Sequence, residues 1–110
     1  MKKDPEVLLF DILDSIENIR KYTKNVSEEK FFNDVQIQDA VVRRIEIIGE
    51  AVKGLSDSFK NKHPNVLWRE IAGTRDVLIH DYSGIDIELV WEIVKNDIIK
   101  LEKQIKDILK

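Results

Sequence analysis

Apolar residues return every three or four positions along most of this chain, with polar residues filling the gaps. That spacing collects side chains on one side of an α-helix, which takes 3.6 residues per turn. The first stripe is Leu9, Ile12, Leu13, Ile16 and Ile19, opened by Asp4 and Pro5. Aspartate caps helix N-termini and proline suits the first helical position, so a helix is predicted from there to about Tyr22. Ser27, followed by Glu28 and Glu29, predicts a short capped helix carrying Phe31 and Phe32. Ile37, Val41, Ile45, Ile48, Val52 and Leu55 then share one face of a long helix, Val35 to about Leu55.

The stretch "SDSFKNKHPNV" (56–66) holds Pro64 and two asparagines and reads as a connection. Leu67 to about Asp81 reads as helical, either unbroken or in two pieces joined near Gly73. Gly84 suits a helix C-cap and Asp86 the next N-cap. The last stripe is the longest: Ile87, Val90, Trp91, Val94, Ile98, Leu101, Ile105 and Ile108. No period-two alternation lasts long enough to suggest a strand. The pattern predicts an all-α fold, an antiparallel bundle of four or five helices in one domain spanning 1–110.

Composition narrows the class. The chain has 110 residues, enough for one core, and 43% hydrophobic with 35% charged residues is the balance of a folded rather than a disordered chain. No apolar run reaches the roughly 18 residues of a membrane span. The opening "MKKDPEVLLF" is broken by Asp4, Pro5 and Glu6, so no leader peptide is expected. The absence of cysteine excludes disulfides, thiolate nucleophiles and zinc–cysteine sites and is compatible with a cytoplasmic location. A net charge of −3 weighs against a broad nucleic-acid-binding surface, whose affinity comes from neutralised phosphates. Any action on RNA must then rest on a local basic patch, or on weak binding followed by chemistry.

The densest chemistry lies in "GTRDVLIHDYSG" (73–84). Asp76 and His80 are four apart and share a helix face, where a carboxylate can fix the imidazole tautomer and raise its basicity. Arg75 and His80 are five apart, about 140° around a helix and about 7.5 Å along it. In one regular helix they diverge. Either the helix is irregular near His80, or a second copy supplies the missing partner across a two-fold axis. Arginine neutralises phosphate oxygens in a two-pronged contact, and histidine moves protons near neutral pH. Together they suit cleavage of RNA by its own 2′-hydroxyl. A blander reading stays open, in which Arg75 and Asp76 are solvated and His80 caps the helix C-terminus.

The ordered blocks around this segment resemble the HEPN superfamily, whose ribonucleases carry Arg, a polar residue, three variable residues and His. "RDVLIH" fits that pattern, and "RDVLIHDY" adds Tyr82 in the form typical of HepT toxins from HepT/MntA toxin–antitoxin pairs. "RRIEIIGEAVKGLS" (43–56), "HPNVLWREIAGTRD" (63–76) and "DYSGIDIELVWEIVKNDI" (81–98) are similar to the same family, so the resemblance covers nearly the whole chain. It implies a HEPN-like bundle and a metal-independent RNase toxin that dimerises so that two motifs build one cleft. It also implies an MntA-type nucleotidyltransferase antitoxin that transfers AMP to the motif tyrosine, and leaves open a larger assembly of the two proteins. Carried over by position, Arg75 and His80 are catalytic, Asp76 supports them and Tyr82 is modified. The chain departs from the commoner Asn at Asp76, where an acid repels RNA phosphate yet orients His80 better.

Other residues carry less. Gly49 in mid-helix marks a close helix approach, and Glu50 beside it is either a bystander there or a support for Arg75 and His80. Arg20, Lys21, Lys24, Arg43 and Arg44 could feed RNA phosphates or simply form solvated helix faces. Trp68 and Trp91 sit in core positions, and His63 is expected in an exposed loop. Two distant histidines give no metal-ligand spacing and no glycine-rich phosphate loop is present, so no metal or cofactor is expected. Two rivals to the nuclease remain: a non-catalytic docking module for a nucleotidyltransferase, and an enzyme that applies Arg75 to a free nucleotide.

Overall fold

The computed structural model describes residues 4–80 and 86–110, without the side chains of Arg75 and residues 77–80. Tyr82, and the cap expected at Gly84, lie outside the described residues. The helices are α1 (Pro5–Thr23), α2 (Glu28–Asn33), α3 (Val35–Gly54), α4 (Asp57–Lys62), α5 (Trp68–His80), α6 (Ile87–Glu92) and α7 (Ile98–Ile108). A π turn, Ile93–Asp97, joins α6 to α7. The fold is all-helical, with no strand among the described residues. None of the described helices is long and apolar enough to cross a membrane.

Short polar side chains start these helices, because the first backbone N–H groups have no partner inside the helix. Asp4 accepts from the Glu6 N–H at 2.8 Å, with Pro5 in the first turn. Ser27 accepts from Lys30 N–H, Asp34 from Ile37 N–H and Asp86 from Leu89 N–H, each at 3.1 Å. Asn25, between α1 and α2, takes φ of 60°, a conformation asparagine tolerates better than most residues.

The apolar stripes meet as predicted. Ile12, Ile16, Ile19, Phe31, Val41, Val52, Val90 and Ile105 are fully enclosed. Helices α1 and α3 pack in opposite directions: a Cβ at Gly54 would stand 3.3 Å from Leu8, while Arg44 reaches Asp14 at 3.7 Å. Phe31 stacks on Trp91 with centroids 5.0 Å apart, which fastens α2 to α6. Arg20 and Glu102 pair at 2.5 Å between α1 and α7. The Gln104 amide donates to the Asn65 carbonyl at 3.0 Å, tying α7 to the strap before α5.

Three local features differ from the reading of the sequence. The segment taken as a plain connection contains α4, capped by Ser56, which accepts from Phe59 N–H at 3.1 Å. Six residues are too few to show a helical period, and only Phe59 is apolar. His63 is half-buried rather than an exposed loop residue. Its ring lies 4.8 Å from Phe59, and its carbonyl accepts the Trp68 indole N–H at 3.0 Å. That bond satisfies the polar atom of a buried tryptophan.

The π turn is the third. Ile98 N–H bonds back to the Ile93 carbonyl, five residues away. Five residues span about 140° on an α-helix, and the wider turn brings them closer to one side. Ile93 and Ile98 are both buried and line one groove, while Trp91 is half-buried and packs on Phe31.

Candidate active site

Helix α5 carries the motif. Its buried end is Trp68, with Ile71 and Ala72 packed partly against the core. Gly73 is exposed, and among the described residues nothing beyond its own stretch of helix comes within 4 Å of where a Cβ would stand. The Thr74 hydroxyl donates to the Glu70 carbonyl one turn back at 2.9 Å, so its polar atom is satisfied within the helix. The α-helix runs unbroken from Trp68 to His80. Arg75 and His80 therefore occupy positions about 140° apart around one regular helix.

Asp76 is the motif residue whose surroundings are described best. Its Oδ1 meets Lys53 Nζ of α3 at 2.5 Å, and the two side chains are 43% and 42% exposed. A pair this open is worth only about 0.5 kcal/mol. Its consequence is electrostatic: a lysine stands on the acid next to Arg75. Lys53 was missed in reading the sequence. It lies in the block "RRIEIIGEAVKGLS", three residues after Glu50, but nothing in the sequence points from it to Asp76.

Gly49 is buried and Glu50 exposed on α3, the helix that Lys53 links to the motif. The burial of Gly49 agrees with a close helix approach. Beside the motif helix a groove of about 210 Å³ opens between α3, α5, the π turn and α7. Ile45, Ile48, Ile71 and Leu101 form its apolar part, and Glu70, Thr74, Asp97 and Lys100 are among its polar residues.

Four of the other basic candidates have acidic partners within the fold. Arg20 pairs with Glu102, Arg43 with Glu46 at 3.6 Å, Arg44 with Asp14, and Lys21 with Glu17 at 4.0 Å. Trp68 is buried, and Trp91 lies between Phe31 and the Lys95 ammonium, 4.6 Å from its ring centre. Neither is an open platform for a base. No three His, Asp or Glu side chains gather into a metal-ligand set among the described residues.

A helical bundle with Arg-Asp-x3-His on a helix that reaches its histidine defines a HEPN-type domain. Within that class, the chain belongs to the ribonuclease HepT-like family, whose profile matches residues 12–108. It is similar to "probable ribonuclease HepT" of Thermococcus cleftensis, 42% identical over 110 residues and covering all of both chains. It is 50% identical over 109 residues to a Methanocaldococcus jannaschii protein named "gamma-glutamylcyclotransferase and putative RNase". That match covers 99% of this chain but 49% of the longer protein. No solved structure matches the chain.

Proposed function

We propose that this chain is a metal-independent endoribonuclease whose site is shared by two copies, with Arg75 and His80 as its catalytic residues. The observation that carries this reading is the regular helix through His80. An irregular helix was one way to bring the two residues together, and its regularity favours a second copy as the source of the partner. Membership of the HepT-like family, and the name of the Thermococcus relative, support RNA as the substrate.

In the proposed step an RNA 2′-hydroxyl attacks the adjacent phosphorus and the 5′-oxygen leaves. Arg75 neutralises the charge growing on the phosphate oxygens. His80 serves the proton transfers. Products end in a 2′,3′-cyclic phosphate and a 5′-hydroxyl. Asp76 and Glu50 support the pair. As a toxin, the enzyme is held in check by an MntA-type nucleotidyltransferase antitoxin, which joins AMP to the Tyr82 oxygen as pyrophosphate leaves ATP. The added phosphate competes with RNA for the arginines.

Incubating the protein with mixed RNA in EDTA and analysing the product ends tests this reading. Cyclic-phosphate ends are expected from wild type and not from His80→Ala. Intact RNA, from protein whose mass shows Tyr82 unmodified, would instead favour the docking module, the reading that the net charge of −3 suits better.

A further inference from the structure

Asp76 presents the nuclease reading with a physical problem, because a carboxylate next to the phosphate-binding arginine repels RNA. We propose that Lys53 solves it as a positioning residue: it cancels the Asp76 charge and so keeps the RNA cleft attractive to phosphate. This inference rests on the nuclease reading above.

The geometry is specific. The ion pair is a 2.5 Å charge-assisted hydrogen bond between α3 and the motif helix. It joins the residue next to Arg75 to a lysine 23 positions away in sequence. With both partners about 42–43% exposed, the pair contributes little to folding, so Lys53 can be replaced without loss of the bundle. Loss of the Lys53 charge leaves one net positive charge fewer beside Arg75, and the binding of a polyanion responds to each charge in the cleft. The four basic residues paired elsewhere, Arg20, Lys21, Arg43 and Arg44, have their own acidic partners. Lys53 is a cation held on Asp76.

A double-mutant cycle on the full-length protein separates this role from two others. Lys53→Met keeps the length of the apolar stem and removes the charge, and Asp76→Asn removes the acid. Lys53→Met is expected to raise KM for RNA about fivefold with little change in kcat, while Lys53→Arg retains the wild-type KM. In the Asp76→Asn background the same Lys53→Met change is expected to move KM by less than about twofold, because no charge remains to cancel. Thermal unfolding of each variant checks that the bundle persists.

A KM that rises equally in both backgrounds would overturn the proposal and make Lys53 a direct phosphate contact. An unchanged KM in the native background would also overturn it. A fall in kcat and unfolding temperature together, with KM unmoved, would make the pair a structural tie only. Failure of the wild-type protein to cleave RNA would count against the nuclease reading itself, which distinguishes the two claims.

Discussion

Gly73 offers a sharp test of how the motif helix is built. Glycine in a helix interior costs about 1 kcal/mol relative to alanine, because the unfolded backbone has more freedom to lose. A residue retained at that cost usually fits a close approach or a positive φ. Neither applies here among the described residues: Gly73 is exposed, no glycine has a positive φ, and a Cβ would meet nothing within 4 Å beyond its own stretch of helix.

Gly73→Ala should therefore recover most of the propensity difference, about 0.8–1 kcal/mol. For a domain of this size that raises the unfolding temperature by about 4 °C. With an m-value of about 1.5 kcal/mol per molar urea, the midpoint rises by about 0.6 M. Urea titration followed by circular dichroism at fixed protein concentration reads this directly, with the slope unchanged. A lower midpoint would refute the reasoning and mean that another surface covers Gly73 in solution, a second copy being the first to examine.

Two further predictions concern the core. Ser15 is fully buried, and its hydroxyl has no hydrogen-bond partner among the described residues; Ser15→Ala should stabilise the protein by about 1 kcal/mol, and a loss of stability in urea unfolding would show that the hydroxyl is satisfied. Trp68→Phe removes the N–H that bonds the His63 carbonyl at 3.0 Å and leaves a small void. It should cost about 2 kcal/mol by the same measurement, and an unchanged midpoint would contradict the role given to that bond.

The sequence disclosed features whose determinants are close together along the chain. Asp4, Ser27 and Asp86 could be read as caps because each bonds an N–H two or three residues away. The long helices were legible from stripes that repeat over several turns. Helix α4 was not, since one phenylalanine in six residues has no period, and Phe59 is held by His63 and Trp68 further on. The π turn was hidden for the opposite reason. Val90, Val94, Ile98, Leu101 and Ile105 fit a regular helix so well that the widened turn leaves no gap in the pattern, and the Ile98 N–H bond to the Ile93 carbonyl reveals it.

The same division runs through the site. Arg75, Asp76 and His80 stood out because six residues contain all three. The Lys53–Asp76 pair is a product of α3 packing beside α5, and its two halves carry no mark of each other in the sequence. Glu50 stands beside a mid-helix glycine, and Lys53 lies one turn further on.

The central claim, a nuclease site shared by two copies, is tested most directly by mixing two inactive variants. Arg75→Ala and His80→Ala proteins are prepared separately, mixed in equal amounts, allowed to exchange subunits and assayed on RNA in EDTA. Intact-complex mass spectrometry confirms that exchange has occurred. Each variant alone should leave RNA whole. If a site draws Arg75 from one copy and His80 from the other, half the mixed population is hybrid with one intact site, and about a quarter of wild-type activity returns with cyclic-phosphate ends. Verified hybrids that remain inactive would contradict the shared site, and cleavage by His80→Ala alone would contradict the catalytic role of the histidine.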